Sequence, residues 1–249
     1  MRCTSDAAVP SLRTWMSADR TGSADRAAWL SDRRAAVVAT YDALASSYDE
    51  HEYPSDSQRE WVAGVLQRLP PNSIILDAPC GTGKYFPLVA AAGQRVVGID
   101  QSAGMLACAR ARGTAVAVEQ VSLQELRYVR EFDAVLTIDA LENIPPEEWP
   151  LVLSNLHRAL RGGGELYVTV EEVDEALIER AFAELTRQGY PAVRGEVIEG
   201  DVAGYHYYPG RARVLDWLTA EGLVIEQEMY KQEDGWGYRH LLLRDRTNG

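Results

Sequence analysis

The chain has little with which to cross-link itself or to hold a polyanion. Three cysteines, Cys3, Cys80 and Cys108, are scattered over 249 residues without a CxxC pair. So sparse and odd a set excludes a disulfide framework and a cysteine-built structural zinc. Lysine occurs only at positions 84 and 231, no Lys/Arg-rich run exists, and the net charge is −12. A nucleic-acid substrate normally needs a positive footprint, so tRNA, rRNA and DNA are not expected partners, and neither is an anionic membrane surface. No apolar run reaches membrane length, and no signal-peptide core of roughly 7–15 apolar residues follows the N-terminus. The expected compartment is the cytoplasm. No metal-ligand spacing is visible, and internal repeats and low-complexity tracts are missing.

What is present is a composition of 46% apolar and 25% charged residues. At this length it suits one α/β domain that buries roughly 70–75% of its unfolded surface. Residues 1–22, rich in Ser, Asp, Arg and Ala, read as a leader, with a short helix near Leu12–Met16. Residues 23–249 read as a single domain. A helical stripe places Val37, Tyr41, Leu44, Ala45 and Tyr48 on one face, and a second helix over 57–69 stops at Pro70-Pro71. Strand and helix then alternate: strand 74–78, helix 83–92, strand 95–100, helix 102–112, strands 114–119 and 132–138. A helix entered at Pro145-Pro146 and a strand over 165–171, after Gly162-Gly-Gly164, continue the series. Another helix covers 174–188, an insertion occupies 190–210, and helix 211–221 precedes strands 223–230 and 237–244. Repeated short βα units make a doubly wound parallel sheet. The last two strands are joined by six residues, too few for a parallel crossover, so they pair antiparallel.

Chemistry concentrates where strands end. Ile74-Ile-Leu-Asp77 runs into Ala78-Pro79-Cys80-Gly81-Thr82-Gly83, and Val96-Val-Gly-Ile ends at Asp100. Glycines let backbone approach a nucleoside, and the second acid receives vicinal ribose hydroxyls. The dinucleotide version requires G-x-G-x-x-G, whereas Phe86 stands at the third glycine. The loop therefore suits a mononucleoside without a pyrophosphate.

These residues resemble motif I of the class I S-adenosylmethionine (SAM)-dependent methyltransferases. The resemblance implies a seven-stranded sheet of order 3-2-1-4-5-7-6 with an antiparallel last strand, an N-terminal helical lid, and SAM as cofactor. It further implies that Asp77, Ala78, Pro79, Cys80, Gly81 and Gly83 surround the methionine half. Lys84 would enter a helix whose amides favour the ligand carboxylate. Asp100 would hold the ribose, and Gln101 and Met105 would flank the adenine. Ser122 stands where the family places an acid for the adenine amino group, with Leu123 beside it. Asp139-Ala-Leu-Glu142-Asn143 is similar to the segment that runs along the ligand after strand 4, with Asn143 where the family often has His. Tyr41-Asp-x-x-Ala-x-x-Tyr48-Asp49 resembles a signature of small-molecule methyltransferases, in which both phenols face the site.

Methyl transfer from a sulfonium is an in-line displacement, which needs a nucleophile about 3–3.5 Å from the methyl and exclusion of water. The expected acid–base group is His206, with Tyr48 at the lid. His51, Glu142, Asn143, Tyr205, Tyr207 and Tyr208 are the expected acceptor-side residues. The leading expectation is methyl transfer to N, O or C of a small molecule, in secondary metabolism, with a homodimer left open. The alternatives are an NAD-linked oxidoreductase and a non-catalytic SAM-binding regulator.

Overall fold

The computed structural model describes residues 26–51, 54–198, 204–232 and 236–246, with His51 described in its backbone only. The expected leader and its short helix lie outside the described residues.

A seven-stranded sheet forms the centre. β1 (Ile74–Asp77), β2 (Arg95–Asp100), β3 (Ala117–Gln120), β4 (Phe132–Thr137) and β5 (Leu160–Val173) pair in parallel, and β8 (Leu223–Gln232) and β9 (Trp236–Asp245) complete it in the order β3-β2-β1-β4-β5-β9-β8. β9 runs antiparallel to both neighbours. The expected topology is therefore present, including the antiparallel end. Ile75, Leu76, Ala134, Val135 and Leu136 are fully buried, as central strands covered on both faces require.

Helices cover the two faces. α1 (Arg26–Leu44), α2 (Tyr48–His51) and α3 (Asp56–Arg68) precede the sheet; α4 (Phe86–Ala91), α5 (Ala103–Ala111), α6 (Trp149–Ala159), α7 (Glu175–Arg187) and α8 (Gly210–Glu221) connect it. α3 opens with a full capping box, Ser55 with Gln58. Gly222 at φ 79° ends α8.

Several boundaries differ from the sequence expectation for physical reasons. The N-terminal stripe is two helices, because Ser47 turns its hydroxyl back onto the carbonyl of Leu44 at 3.3 Å and closes the first. Helix 83–92 shrinks to α4, so Lys84 sits in the turn before it. α6 begins at Trp149 with Pro150 in its first turn, four residues beyond Pro145. β5 starts at Leu160 because Gly162–Gly164 forms a bulge against β4, between the Phe132↔Leu160 and Ala134↔Glu165 pairs. The insertion holds a two-stranded antiparallel ribbon, β6 (Glu196–Val197) with β7 (His206–Tyr207).

The residue that breaks the dinucleotide motif has its own place. Phe86 is fully buried, and a Cβ on Gly98 of β2 would lie 2.5 Å from its ring. The space that a third glycine would leave to the helix is provided instead by a glycine on the neighbouring strand.

Candidate functional site

The carboxyl ends of β1, β2 and β4 open onto one cavity roofed by α1 and α2. Pro79, Cys80, Gly81 and Thr82 form its floor, Asp100, Gln101 and Met105 one wall, Val121 to Gln124 an end, and Ile138 to Ala140 with Asn143 and Ile144 the other wall. Arg34, Val37, Tyr41 and Tyr48 close it from above, with Lys84 and Tyr85 at the side.

Asp100 joins two walls. Its Oδ2 accepts from the Gly81 amide at 2.9 Å and its Oδ1 from the Ser102 amide at 2.8 Å. Burial pushes its carboxyl up, against the pull of these amides and that of Gln101. The helix cap is separate: Ser102 Oγ accepts from the Met105 amide at 3.1 Å. Asp77 lies beneath the floor with 1% of its surface exposed, and its Oδ2 has no hydrogen-bond partner. Burial, with Asp100 adding to it and Lys84 opposing, raises its pKa to about 8. Gly81 and Gly83 take φ of 51° and 75°, which only glycine adopts at small cost.

The roof is bolted on by the two acids of the Tyr-Asp pattern. Asp42 Oδ1 accepts from Ser102 Oγ at 2.5 Å and from the Gly104 amide at 2.8 Å, and a Cβ on Gly104 would sit 2.9 Å from the Asp42 carbonyl. Asp49 accepts from Thr82 Oγ1 at 2.5 Å and pairs with Arg112, whose Nε donates to the Thr82 carbonyl at 2.6 Å. In the Tyr-Asp-x-x-Ala-x-x-Tyr-Asp pattern the tyrosines thus face the cavity and the aspartates fasten the roof to α5 and the glycine loop. The Tyr41 and Tyr48 rings meet edge-on at 6.1 Å although the helix breaks between them. Farther out, Arg26 of α1 holds Glu196 of β6 through Nη2 at 2.8 Å and Nη1 at 3.1 Å.

Asp139 anchors the opposite wall. In the left-handed region at φ 51°, it takes Gln58 Nε2 at 2.6 Å and Lys84 Nζ at 3.4 Å, while its amide donates to Thr169 Oγ1 at 2.9 Å.

Of the residues expected at the site, Tyr41, Tyr48, Pro79, Cys80, Gly81, Asp100, Gln101, Met105, Ser122, Leu123, Asp139 and Asn143 line this cavity. Asp77, Ala78, Gly83 and Glu142 are buried and are not part of its lining. The side chain of His51 is outside the described residues. Tyr205, His206, Tyr207 and Tyr208 are not among the residues that line this cavity; β7 lies against the turn 141–143 at its wall. Strand alternation explains it: Tyr205 and Tyr207 join the main core, while His206 and Tyr208 share the other face, 3.2 Å apart, with Tyr208 packed near Ile178 and Val197. Arg34, Val37, Thr82, Tyr85 and Gln124 were missed; the i, i+3, i+7 spacing of Arg34, Val37 and Tyr41 is a signal that could have found two of them.

Comparison with known proteins agrees with this geometry. Residues 75–164 match a family model described as "Methyltransferase domain". A tRNA (carboxymethyluridine(34)-5-O)-methyltransferase of Arabidopsis thaliana is 31% identical over 58% of this chain and 35% of its own length. A demethylmenaquinone methyltransferase of Clavibacter sepedonicus is 25% identical over 78% of this chain and 85% of its own. The chain spans 35% to 57% of the length of the first three curated relatives it matches. Among solved structures, 1,6-didemethyltoxoflavin-N1-methyltransferase of Burkholderia thailandensis, with bound 1,6-didemethyltoxoflavin and S-adenosylhomocysteine, superposes with a TM-score of 0.64 at 17% identity, over 91% of this chain and 93% of that one.

Proposed function

We propose that this chain, a class I SAM-dependent methyltransferase, moves the methyl group of SAM to a nucleophilic N, O or C atom of a small molecule. The observation that carries the reading is Asp100 in the cavity wall with Asp77 buried beneath the floor. Asp100 stands at the end of β2, where a ribose would meet it, and Asp77 Oδ2 is buried without a partner, where a cationic group would satisfy it. SAM brings both a ribose and an α-ammonium, so the residues present fit it. When bound, it supplies an electrophilic methyl on a sulfonium. Asp100 and the Gly81 loop hold the nucleoside, Met105 and Leu123 pack the adenine end, and Tyr41 and Tyr48 exclude water from above. A net charge of −12 without basic runs favours a small acceptor over tRNA. Its setting in secondary metabolism and in the cytoplasm belongs to the same proposal. Turnover of SAM to S-adenosylhomocysteine over a panel of amines, phenols and aromatic carbons tests the reading; a chain that binds SAM and methylates none of them acts instead as a regulator.

Asp77 makes SAM binding pH-dependent. Its folded pKa of about 8 lies above the ordinary 3.8, so the neutral form is favoured by folding. That contribution to stability is full below pH 4 and is lost as the pH rises to 8. A bound ammonium favours the carboxylate, so binding at pH 7 expels a proton. Calorimetry in buffers of differing ionisation enthalpy should show more protons released by the wild type than by Asp77→Asn. The same proton count in both proteins would show that Asp77 does not respond to the ligand.

A further inference from the structure

The chain has two lysines, and one of them, Lys84, lines the cavity. Among the described lining residues Arg34 is the other cation. Arg34 pairs with Glu148 and also lines an outer groove with Ser122 and Gln124, so it belongs to the adenine end. Lys84 stands at the opposite end. Its Nζ lies 3.4 Å from Asp139 Oδ2, and its side chain is 12% exposed. Asp139 follows β4, and β4 is separated from β2 and β3 by β1, so this pair faces away from the adenine.

Asp139 does not depend on Lys84. Its Oδ1 takes Gln58 Nε2 at 2.6 Å, and it receives the Tyr238 hydroxyl as well. The contact with Lys84 is long beside the roughly 2.7–2.9 Å of a charge-assisted bond. Lys84 is therefore able to leave without stranding the carboxylate. Around it the walls are rings: its Nζ rides 5.9 Å over Tyr48 and 5.7 Å over Tyr85, and Tyr41 meets Tyr48 edge-on.

This end of the cavity offers a cation and little to take up a proton. No histidine is among the described lining residues. Burial pushes the Tyr41 and Tyr85 phenols up, so both stay neutral near pH 7. Asp139 is occupied by its donors, and Asp100 by the Gly81 and Ser102 amides. A fixed ammonium beside a sulfonium also repels a protonated amine and attracts an anion.

Resting on the methyltransferase reading, we propose that the acceptor is a phenol bound as its anion, and that Lys84 lets go of Asp139 to hold the phenolate oxygen. The phenol gives its proton to solvent as it binds, and its ring packs among Tyr41, Tyr48 and Tyr85. A phenolate lone pair attacks the methyl carbon; the O–C bond forms as the S–C bond breaks, and the sulfur keeps that electron pair as a thioether. The product is a neutral aryl methyl ether. Without the negative oxygen, Lys84 returns to Asp139 and the ether is released.

The test uses the full chain loaded with S-adenosylhomocysteine and three phenols whose anions absorb visible light: 4-nitrophenol, 4-nitrocatechol and 4-nitro-1-naphthol. Each is compared with its methyl ether. Absorbance against pH should show at least one bound phenol with its pKa lowered by about one unit or more, and calorimetry should find it bound about tenfold more tightly than its ether. Lys84→Met should lose both effects and keep its affinity for S-adenosylhomocysteine within about twofold, while Lys84→Arg, which keeps the charge, should retain most of the pKa shift. Binding of no phenol, equal binding of phenol and ether, or a shift that survives in Lys84→Met overturns the proposal. A Lys84→Met protein that loses S-adenosylhomocysteine and still shifts the phenol overturns it too, and assigns Lys84 to the cofactor carboxylate. Should the wild type fail to bind S-adenosylhomocysteine, the methyltransferase reading fails instead; the phenols, titrated into the protein alone, still decide the assignment of Lys84.

Discussion

Replacing Asp100 with alanine is expected to weaken SAM binding by tenfold to a hundredfold. Each hydrogen bond to a charged acceptor contributes roughly 1.5–3 kcal/mol, and about 1.4 kcal/mol is a factor of ten. The carboxylate would receive ribose hydroxyls while already holding the Gly81 and Ser102 amides at 2.9 and 2.8 Å. Alanine therefore removes the ligand contact and frees the glycine loop that shapes the floor. Asp100→Asn keeps the shape without the charge and should fall between the two. Titration calorimetry checks this, with a thermal melt to show that each variant folds. A folded Asp100→Ala protein of unchanged affinity would take Asp100 out of the site.

The second large effect concerns the roof. Glu196 has a fully buried side chain, and its charge is met by Arg26, with the Tyr205 hydroxyl at 2.7 Å and the Val193 amide at 2.7 Å as its other donors. Arg26→Met leaves that charge uncompensated, at a cost of roughly 3–5 kcal/mol. The arm from Arg26 to half-exposed Glu147 adds little, because solvent screens it. The loss should fall on the docking of α1, where Trp29 meets the Tyr205 ring at 5.9 Å. Amide exchange across residues 26–44 should accelerate by roughly two to three orders of magnitude, about 1.4 kcal/mol per tenfold. SAM affinity should fall with it, since α1 supplies Arg34, Val37 and Tyr41 to the cavity. Adding Glu196→Gln removes the stranded charge and should restore most of the protection. A single variant with wild-type exchange, or a double variant as labile as the single, contradicts this view of the clasp.

The parts of the site legible in the sequence are those built by neighbours in the chain. Gly81, Gly83 and Asp100 announce themselves because tight turns and strand-end acids are local features. The antiparallel end of the sheet was legible for a similar reason, since six residues cannot span a crossover. Glu142 illustrates what was not legible in full. Its position in the chain marked it for the acceptor side, but its nearness to Tyr238 exists only because β9 lies beside β5. The packing of the run Tyr205–Tyr208 was not legible, because four polar-tipped rings in a row do not show which way each one turns. A two-residue ribbon turns alternate rings into opposite cores. Asp42 and Asp49 had a visible seven-residue spacing, yet their partners Gly104, Thr82 and Arg112 are distant in sequence.

Equilibrium binding separates this account from its main rival most directly. Titrated into the full chain, SAM and S-adenosylhomocysteine should each bind one per chain in the micromolar range, while NAD gives no saturable heat. Tight NAD binding together with no binding of SAM would contradict the account.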